Sequence, residues 1–187
     1  MQPTVAVSEL YRAKHSFHCK VYAIIVSMLL LVLTACSSSS SSGRIEFQTN
    51  TIAGDKIDTS FFSEYKLTMI NVWTTWCGFC IEEMPELQEI YEELAKNGVG
   101  VIGVAADANN EEALQLARKI LKDNGVTYPN LVPDKSLEKD LLSDLSAYPT
   151  SFFVDTKGKL CGATLVGGTK ETYVDEINRI LENMENE

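Results

Sequence analysis

The sequence predicts an α/β domain whose central mixed β-sheet is covered by helices on both faces. Three observations carry this. Two dense apolar runs, residues 67–73 (LTMINVW) and 99–105 (VGVIGVA), have the composition of strands buried on both faces. Each is followed by a stretch with apolar residues at three- and four-residue steps, the period of an amphipathic helix. Two further strand-like segments and a last amphipathic helix close the chain, with no internal repeat.

Taken in order, residues 45–49 alternate apolar and polar and read as a strand, and Gly54-Asp55 marks a turn, giving an N-terminal β-hairpin before the first buried run. Residues 78–96 read as a helix through Cys80, Met84, Leu87, Tyr91 and Leu94, stopped by Asn97-Gly98. Residues 111–123 form a second helix through Leu114, Ala117 and Leu121, ended by Asn124-Gly125. A short strand is expected at 130–132 before Pro133, and a short helix at 137–145. Residues 150–154 and 159–166 are strands joined by the turn Asp155-Thr-Lys-Gly158. The last helix, 171–184, runs through Val174, Ile177, Leu181 and Met184.

Sixteen basic residues against 26 acidic ones give the 187-residue chain a net charge of −10. Clustered Lys and Arg are what phosphate contacts need, so no nucleic-acid partner is expected. The only histidines, His15 and His18, fall in the first twenty residues. Everything downstream therefore lacks His-containing zinc sites, Ser-His-Asp and Cys-His catalysis, and a haem-binding histidine.

The N-terminus reads as a targeting segment. Arg12, Lys14 and Lys20 precede residues 21–33 (VYAIIVSMLLLVL), an uncharged apolar stretch short of the roughly 20 residues of a spanning helix. Leu33-Thr34-Ala35-Cys36 then looks like a lipobox, where bacterial lipoproteins are cleaved and the new N-terminal cysteine acylated. The six serines 37–42 have nothing to bury and suit a flexible tether. The expected organisation is a signal peptide over 1–35, a lipid-bearing Cys36 with a tether to 44, and a folded domain over 45–187. That places the domain outside the cytoplasm, held at the cell membrane by lipid.

The chemistry is concentrated in Trp76-Cys77-Gly78-Phe79-Cys80. A C-x-x-C that directly follows a buried strand and opens a helix puts its first sulfur where unpaired N–H groups and the helix dipole favour a thiolate. Cys77 is expected to be an exposed nucleophile and Cys80 the shielded resolving thiol, one turn on. A structural zinc needs four ligands, and one cysteine pair with Cys161 does not supply them. Haem attachment needs His after the second cysteine, where Ile81 stands. The sulfurs need no added cofactor. Cys161 reads as a small buried hydrophobe.

These residues resemble the thioredoxin superfamily, and within it the TlpA/ResA-like extracytoplasmic thiol–disulfide oxidoreductases. The likeness rests on Asn71-Val-Trp-Thr-Thr-Trp-Cys-Gly-Phe-Cys80, on Glu83-Met84-Pro85, and on Tyr148-Pro-Thr-Ser-Phe-Phe-Val-Asp155, and covers about residues 45–185. It implies a thioredoxin fold, with residues of about 108–133 as a helix-plus-strand insertion. It also implies a cis-Pro149 facing the disulfide and meeting the substrate chain, with Pro85 kinking the active-site helix. Plain thioredoxins carry a buried Asp where Asn71 stands. Here the carboxylate is Glu83, three residues after Cys80 and so on its helical face, and the likeness implies that it exchanges a proton with Cys80. Trp76, Gly78, Phe79, Tyr148 and Pro149 are the expected substrate contacts, with Gly167-Gly168 near the groove.

The implied activity is disulfide reduction in client proteins, for example apocytochrome c or an oxidised methionine sulfoxide reductase, with a CcdA-type membrane electron donor. Gly78-Phe79 leaves the direction of electron flow open, so a disulfide-forming oxidase or isomerase is the alternative. A redox-inactive binding lipoprotein would have no reason to hold both sulfurs. A thiol peroxidase would need Pro-x-x-x-Thr/Ser-x-x-Cys, and residues 68–76 before Cys77 contain no proline.

Overall fold

The computed structural model describes residues 43–186. The expected signal peptide, Cys36 and the serine run lie outside them. Among the described residues, no helix is long and apolar enough to cross a membrane.

A five-stranded sheet is built from β3 (Leu67–Trp73), β4 (Val99–Ala105), β5 (Asn130–Leu131), β6 (Thr150–Asp155) and β7 (Leu160–Val166), in the order β5-β4-β3-β6-β7. Strands β5, β4 and β3 are parallel, while β6 and β7 are antiparallel additions. A separate two-stranded antiparallel sheet joins β1 (Gln48–Asn50) to β2 (Lys56–Asp58). The helices are α1 (Gly78–Leu94), α2 (Glu111–Asp123) and α3 (Lys170–Glu185). The mixed sheet and the hairpin-then-helix ending are those expected from sequence.

The two-residue period of the strands divides the core. Ile70, Val72, Ile102 and Val104 face one side, packed with Phe62, Leu137 and Leu141. Leu67, Met69, Val99 and Val101 face the other, against Leu87 and Ile90 of α1 and Tyr173, Ile177 and Ile180 of α3. Helix α2 packs Ala117 and Leu121 towards Trp73 and Met84 at the carboxyl end of β3. Asn110 caps α2 by accepting from the Ala113 N–H at 3.0 Å, and Glu111 and Glu112 complement the dipole of its first turn.

Several boundaries differ from the sequence reading. The first strand is Gln48–Asn50, because Ile45 and Phe47 instead sink into the core as an irregular arm. Gly43 and Arg44, expected in the tether, are part of the folded domain: Gly43 accepts from the Leu160 N–H at 2.8 Å and Arg44 bridges Lys159. A two-turn 3₁₀ helix over Thr59–Glu64 buries Phe61 and Phe62. The expected helix at 137–145 is a short helix over Lys135–Leu137, capped by Asp134, that widens into a π-turn over Glu138–Leu142. Helix α1 continues through Pro85.

Both edges of the sheet carry contacts from other segments. At β5, Ile52 donates to the Asn130 carbonyl (2.7 Å), Val132 to that of Asn50 (3.0 Å), and Thr51 bridges Leu131. At β7 the register slips between Ser151 and Phe153, Gly162 takes φ of 73°, and the Ala163 N–H donates to Glu176 Oε1 of α3 at 2.6 Å. A Cβ on Gly162 would meet Ile180 Cδ1 at 2.4 Å, so position and conformation both call for glycine.

Candidate active site

Strand β3 ends at Trp73, and the turn Thr74-Thr75-Trp76 carries the chain into α1. That turn is clamped. Asp107, just past β4, accepts from the Thr75 N–H (3.0 Å) and from its hydroxyl (2.6 Å), and Ala106 donates to the Trp73 carbonyl at 2.8 Å. The Trp73 indole N–H donates to Asn130 Oδ1 at 2.9 Å. Cys77 thus arrives at a fixed place as the residue capping α1, and its Sγ accepts from the Cys80 N–H at 3.2 Å.

Cys77 and Cys80 form a disulfide with a Cα–Cα distance of 5.3 Å. Cys77 is 7% exposed and Cys80 1%. The order of accessibility is the expected one, but Cys77 is not the open nucleophile the sequence suggested. It packs in a cluster with Trp73, Met84 and Ala108, against which Ile120 and Tyr148 also rest. Only a small face of the residue meets solvent.

Trp76 and Phe79 are 71% and 78% exposed, flanking that face. The Trp76 ring stands edge-on to Tyr148 at 5.8 Å between centroids. The Tyr148–Pro149 peptide bond is cis, and the Pro149 carbonyl accepts from the Gly167 N–H at 2.9 Å. A groove of about 340 Å³ runs between Phe79, Glu82, Tyr148, Pro149, Val166 and Gly168. Gly78 opens α1 with no atom within 4 Å of where a Cβ would stand. Trp76, Gly78, Phe79, Tyr148 and Pro149 are therefore gathered around the sulfur pair.

Glu83 lies one turn after Cys80 and is 7% exposed. Its Oε1 accepts from Asn71 Nδ2 at 2.7 Å and its Oε2 from the Tyr173 hydroxyl at 2.8 Å. Asn71 also donates to Ser151 Oγ at 3.2 Å. Burial pushes the Glu83 carboxyl up from 4.5 to about 7, outweighing the two hydrogen bonds that favour its ionised form, while the negative charge of Glu86 adds to the rise. Tyr173 was not singled out from the sequence. The last helix turns Tyr173, Ile177 and Ile180 inward, leaving Val174 and Leu181 half-buried and Met184 exposed. The signal was present as a 173–177–180 spacing with an aromatic at its head, but the neighbouring 174–177–181 face is equally helical.

The raised carboxyl has a consequence for stability. An acid whose folded value exceeds its unfolded one contributes fully below the unfolded value, near 4.5, and that contribution is lost as pH rises through about 7. In Glu83→Gln the difference in unfolding free energy between pH 4 and pH 8 should shift by about 3 kcal/mol in favour of the alkaline side, relative to the parent. Parallel urea titrations at the two pH values measure this. Equal shifts in parent and variant would show that Glu83 ionises as if it were in water.

Cys161 is half-buried on β7 and not the buried hydrophobe expected, because β7 is an edge strand with little packed over it. Burial, with Asp155 and Glu176 nearby, pushes its thiol to about 11. It is a poor thiolate at neutral pH. Among the described residues, no three metal-ligating side chains converge.

Residues 44–162 match the AhpC/TSA family. The chain belongs to that family. Its setting departs from the thiol-peroxidase pattern considered above: Thr74 stands three before Cys77, but Ile70 stands where that pattern has proline. Among curated proteins, this AhpC/TSA chain is 32% identical over 98 residues to the thiol-disulfide oxidoreductase ResA of Oceanobacillus iheyensis, covering 52% of this chain and 48% of that protein. It is 28% identical over 116 residues to the sporulation thiol-disulfide oxidoreductase A of Bacillus subtilis, covering 61% and 67%. The first match thus spans about half of the relative's length. Among solved structures, StoA from Bacillus subtilis superposes with a TM-score of 0.57 at 26% identity, covering 71% of this chain and 96% of that one. A thioredoxin family thiol:disulfide interchange protein from Chlorobium tepidum superposes with a TM-score of 0.63 at 21% identity, covering 74% and 94%. The fold is the thioredoxin fold, and the chain is a ResA-like member of that superfamily.

Proposed function

We propose that this protein is a lipid-anchored, extracytoplasmic thiol–disulfide oxidoreductase that reduces disulfides in client proteins. The observation that carries this reading is the Cys77–Cys80 disulfide at the N-terminus of α1 with buried Glu83 one turn on. The leader, Cys36 and the serine run support the location, and the relatives' names support the chemistry.

In the reduced protein the Cys77 thiolate, favoured by the Cys80 N–H and the helix dipole, attacks a client disulfide. The client S–S bond breaks, one client sulfur leaves as thiolate and a mixed disulfide forms. Glu83 carboxylate takes the Cys80 proton, and the Cys80 thiolate attacks Cys77 Sγ. The internal disulfide forms and the second client sulfur leaves. Two electrons have passed to the client. A membrane dithiol donor of the CcdA type reverses the change: its first thiolate attacks Cys77, the more accessible sulfur, Cys80 departs and takes a proton from Glu83, and the donor's second thiolate then displaces Cys77, leaving the donor's own disulfide. With its carboxyl near 7, Glu83 holds and releases that proton at neutral pH. Trp76, Phe79 and the Tyr148–Pro149 loop form the client's docking surface. Cytochrome c precursors and oxidised methionine sulfoxide reductase are candidate clients.

Titration of Cys77–Cys80 against dithiothreitol and glutathione buffers, read by alkylation, tests the direction. A midpoint near the thioredoxin value of about −270 mV is expected. One near the DsbA value of about −120 mV would make the protein an oxidant.

A further inference from the structure

The strongest polar feature not absorbed by the sulfur chemistry is the way Glu83 is held. Its two oxygens meet two donors from elements far apart in the chain. Asn71 reaches Oε1 from the central strand β3, and Tyr173 reaches Oε2 from α3, ninety residues along the chain. We propose that Tyr173 is a positioning residue for the redox reaction: its hydroxyl orients the Glu83 carboxyl as proton carrier for Cys80, donating to the ionised form and accepting from the protonated one. This rests on the oxidoreductase reading given above.

The two donors are not equivalent. The amide nitrogen of Asn71 carries hydrogens and no lone pair to offer, and its other contact is Ser151 Oγ. A phenol can donate or accept. The proton of neutral Glu83 therefore sits on Oε2, facing Tyr173. Transfer to the departing Cys80 thiolate turns that O–H off Tyr173, breaks it and makes an S–H bond, with no change of oxidation state. Tyr173 then turns its own O–H back onto Oε2.

The ring is placed for this. Tyr173 has no exposed surface. A Cβ on Gly168 would lie 2.8 Å from its Cζ, so the backbone of the β7–α3 turn closes directly over the phenol. The start of α3 is tied to α1: Glu86 Oε2 accepts from the Lys170 N–H at 2.7 Å, and Lys170 Nζ donates to Glu89 (2.9 Å) and Glu93 (2.8 Å). The segment that carries Tyr173 is thus fastened to the helix that carries Glu83.

The charged and titratable groups facing Glu83 are few. Glu86 is on the same helix, Tyr173 comes from α3, and Tyr128 from the segment before β5, while β3 and β6 offer only the neutral Asn71 and Ser151. Burial and the neighbouring carboxylate push both phenols above their ordinary range, so neither ionises near neutrality.

The test is the pH profile of Cys80 alkylation in the full chain carrying Cys77→Ser, read by peptide-resolved mass spectrometry. The parent profile should show an inflection near pH 7, and Glu83→Gln should abolish it. Removing a donor to the charged form favours the neutral one, and hydrogen bonds to charged groups are the stronger kind, so Tyr173→Phe should move the inflection upward by about one pH unit. Tyr128→Phe, which removes a buried phenol that does not bond Glu83, should leave it in place. A Tyr173→Phe profile superimposed on the parent overturns the proposal, as does an equal shift in Tyr128→Phe. A profile unchanged by Glu83→Gln overturns the role of Glu83 itself, which is a different failure. Should Tyr173→Phe not fold, the near-ultraviolet tyrosine spectrum of the oxidised parent decides: it should change with the same inflection, and keep that change in Glu83→Gln only if the proposal is wrong.

Discussion

Cys80→Ser should convert the protein from a catalyst of turnover into a covalent trap. Cys77 keeps its place at the head of α1 and the N–H of residue 80 that it accepts from, so it still attacks a disulfide. With no second sulfur the mixed disulfide cannot resolve. Dithiothreitol-coupled reduction of insulin should fall by roughly 10³-fold or more, and non-reducing gels should show an adduct that maps to Cys77. Cys77→Ser should lose the activity equally and form no adduct. Cys161 cannot substitute, because its thiol is pushed to about 11. An adduct on Cys161, or full turnover in Cys80→Ser, would sink the assignment of nucleophile and resolving thiol.

Gly103→Ala should strongly destabilise the domain by adding a single methyl group to its core. A Cβ at Gly103 would stand 1.8 Å from Asn130 Oδ1 and 2.5 Å from its Cγ. Asn130, on β5 directly opposite Gly103 of β4, is nearly fully buried and holds two partners, the Trp73 indole N–H (2.9 Å) and the Tyr128 carbonyl (3.1 Å). Expelling its amide costs the overpacking and leaves a buried indole N–H unpaired, together about 3–5 kcal/mol. That is a large share of the roughly 5–15 kcal/mol that holds a domain together. Chemical denaturation measures the loss. A double-mutant cycle with Asn130→Ala checks the cause: Gly103→Ala should cost far less where residue 130 has no amide. Equal costs in both backgrounds would refute the clash.

The legible parts of this fold are those decided locally. Residues 67–73 and 99–105 carry their burial in their composition, and both emerge at those bounds as β3 and β4. Helix α2 emerges at 111–123 because Asn110 caps it and Asn124-Gly125 ends it. The N-terminal hairpin was expected and is present, but the residues of its second strand, Lys56–Asp58, and the 3₁₀ helix after it were not assigned, because KID has no pattern of its own and is defined only by pairing with Gln48–Asn50. At the site, the sulfur pair was legible from spacing and helix position. Glu83 stands beside Glu82 and Glu86 as one more acid, and only the family likeness set it apart. Its partner Tyr173 and the enclosure of Cys77 were not legible, since both depend on elements far along the chain meeting at the end of β3.

The contacts along the edges of the central sheet bear on how these molecules behave in a crowd. An open strand presents a row of N–H and C=O groups to which any extended chain can add. Here the β5 side is taken up by the N-terminal segment, and on the β7 side the Gly162 bulge twists the strand while Glu176 removes the Ala163 N–H. These contacts withdraw part of each edge's backbone from pairing with a second chain, the device by which natural sheets oppose edge-to-edge association.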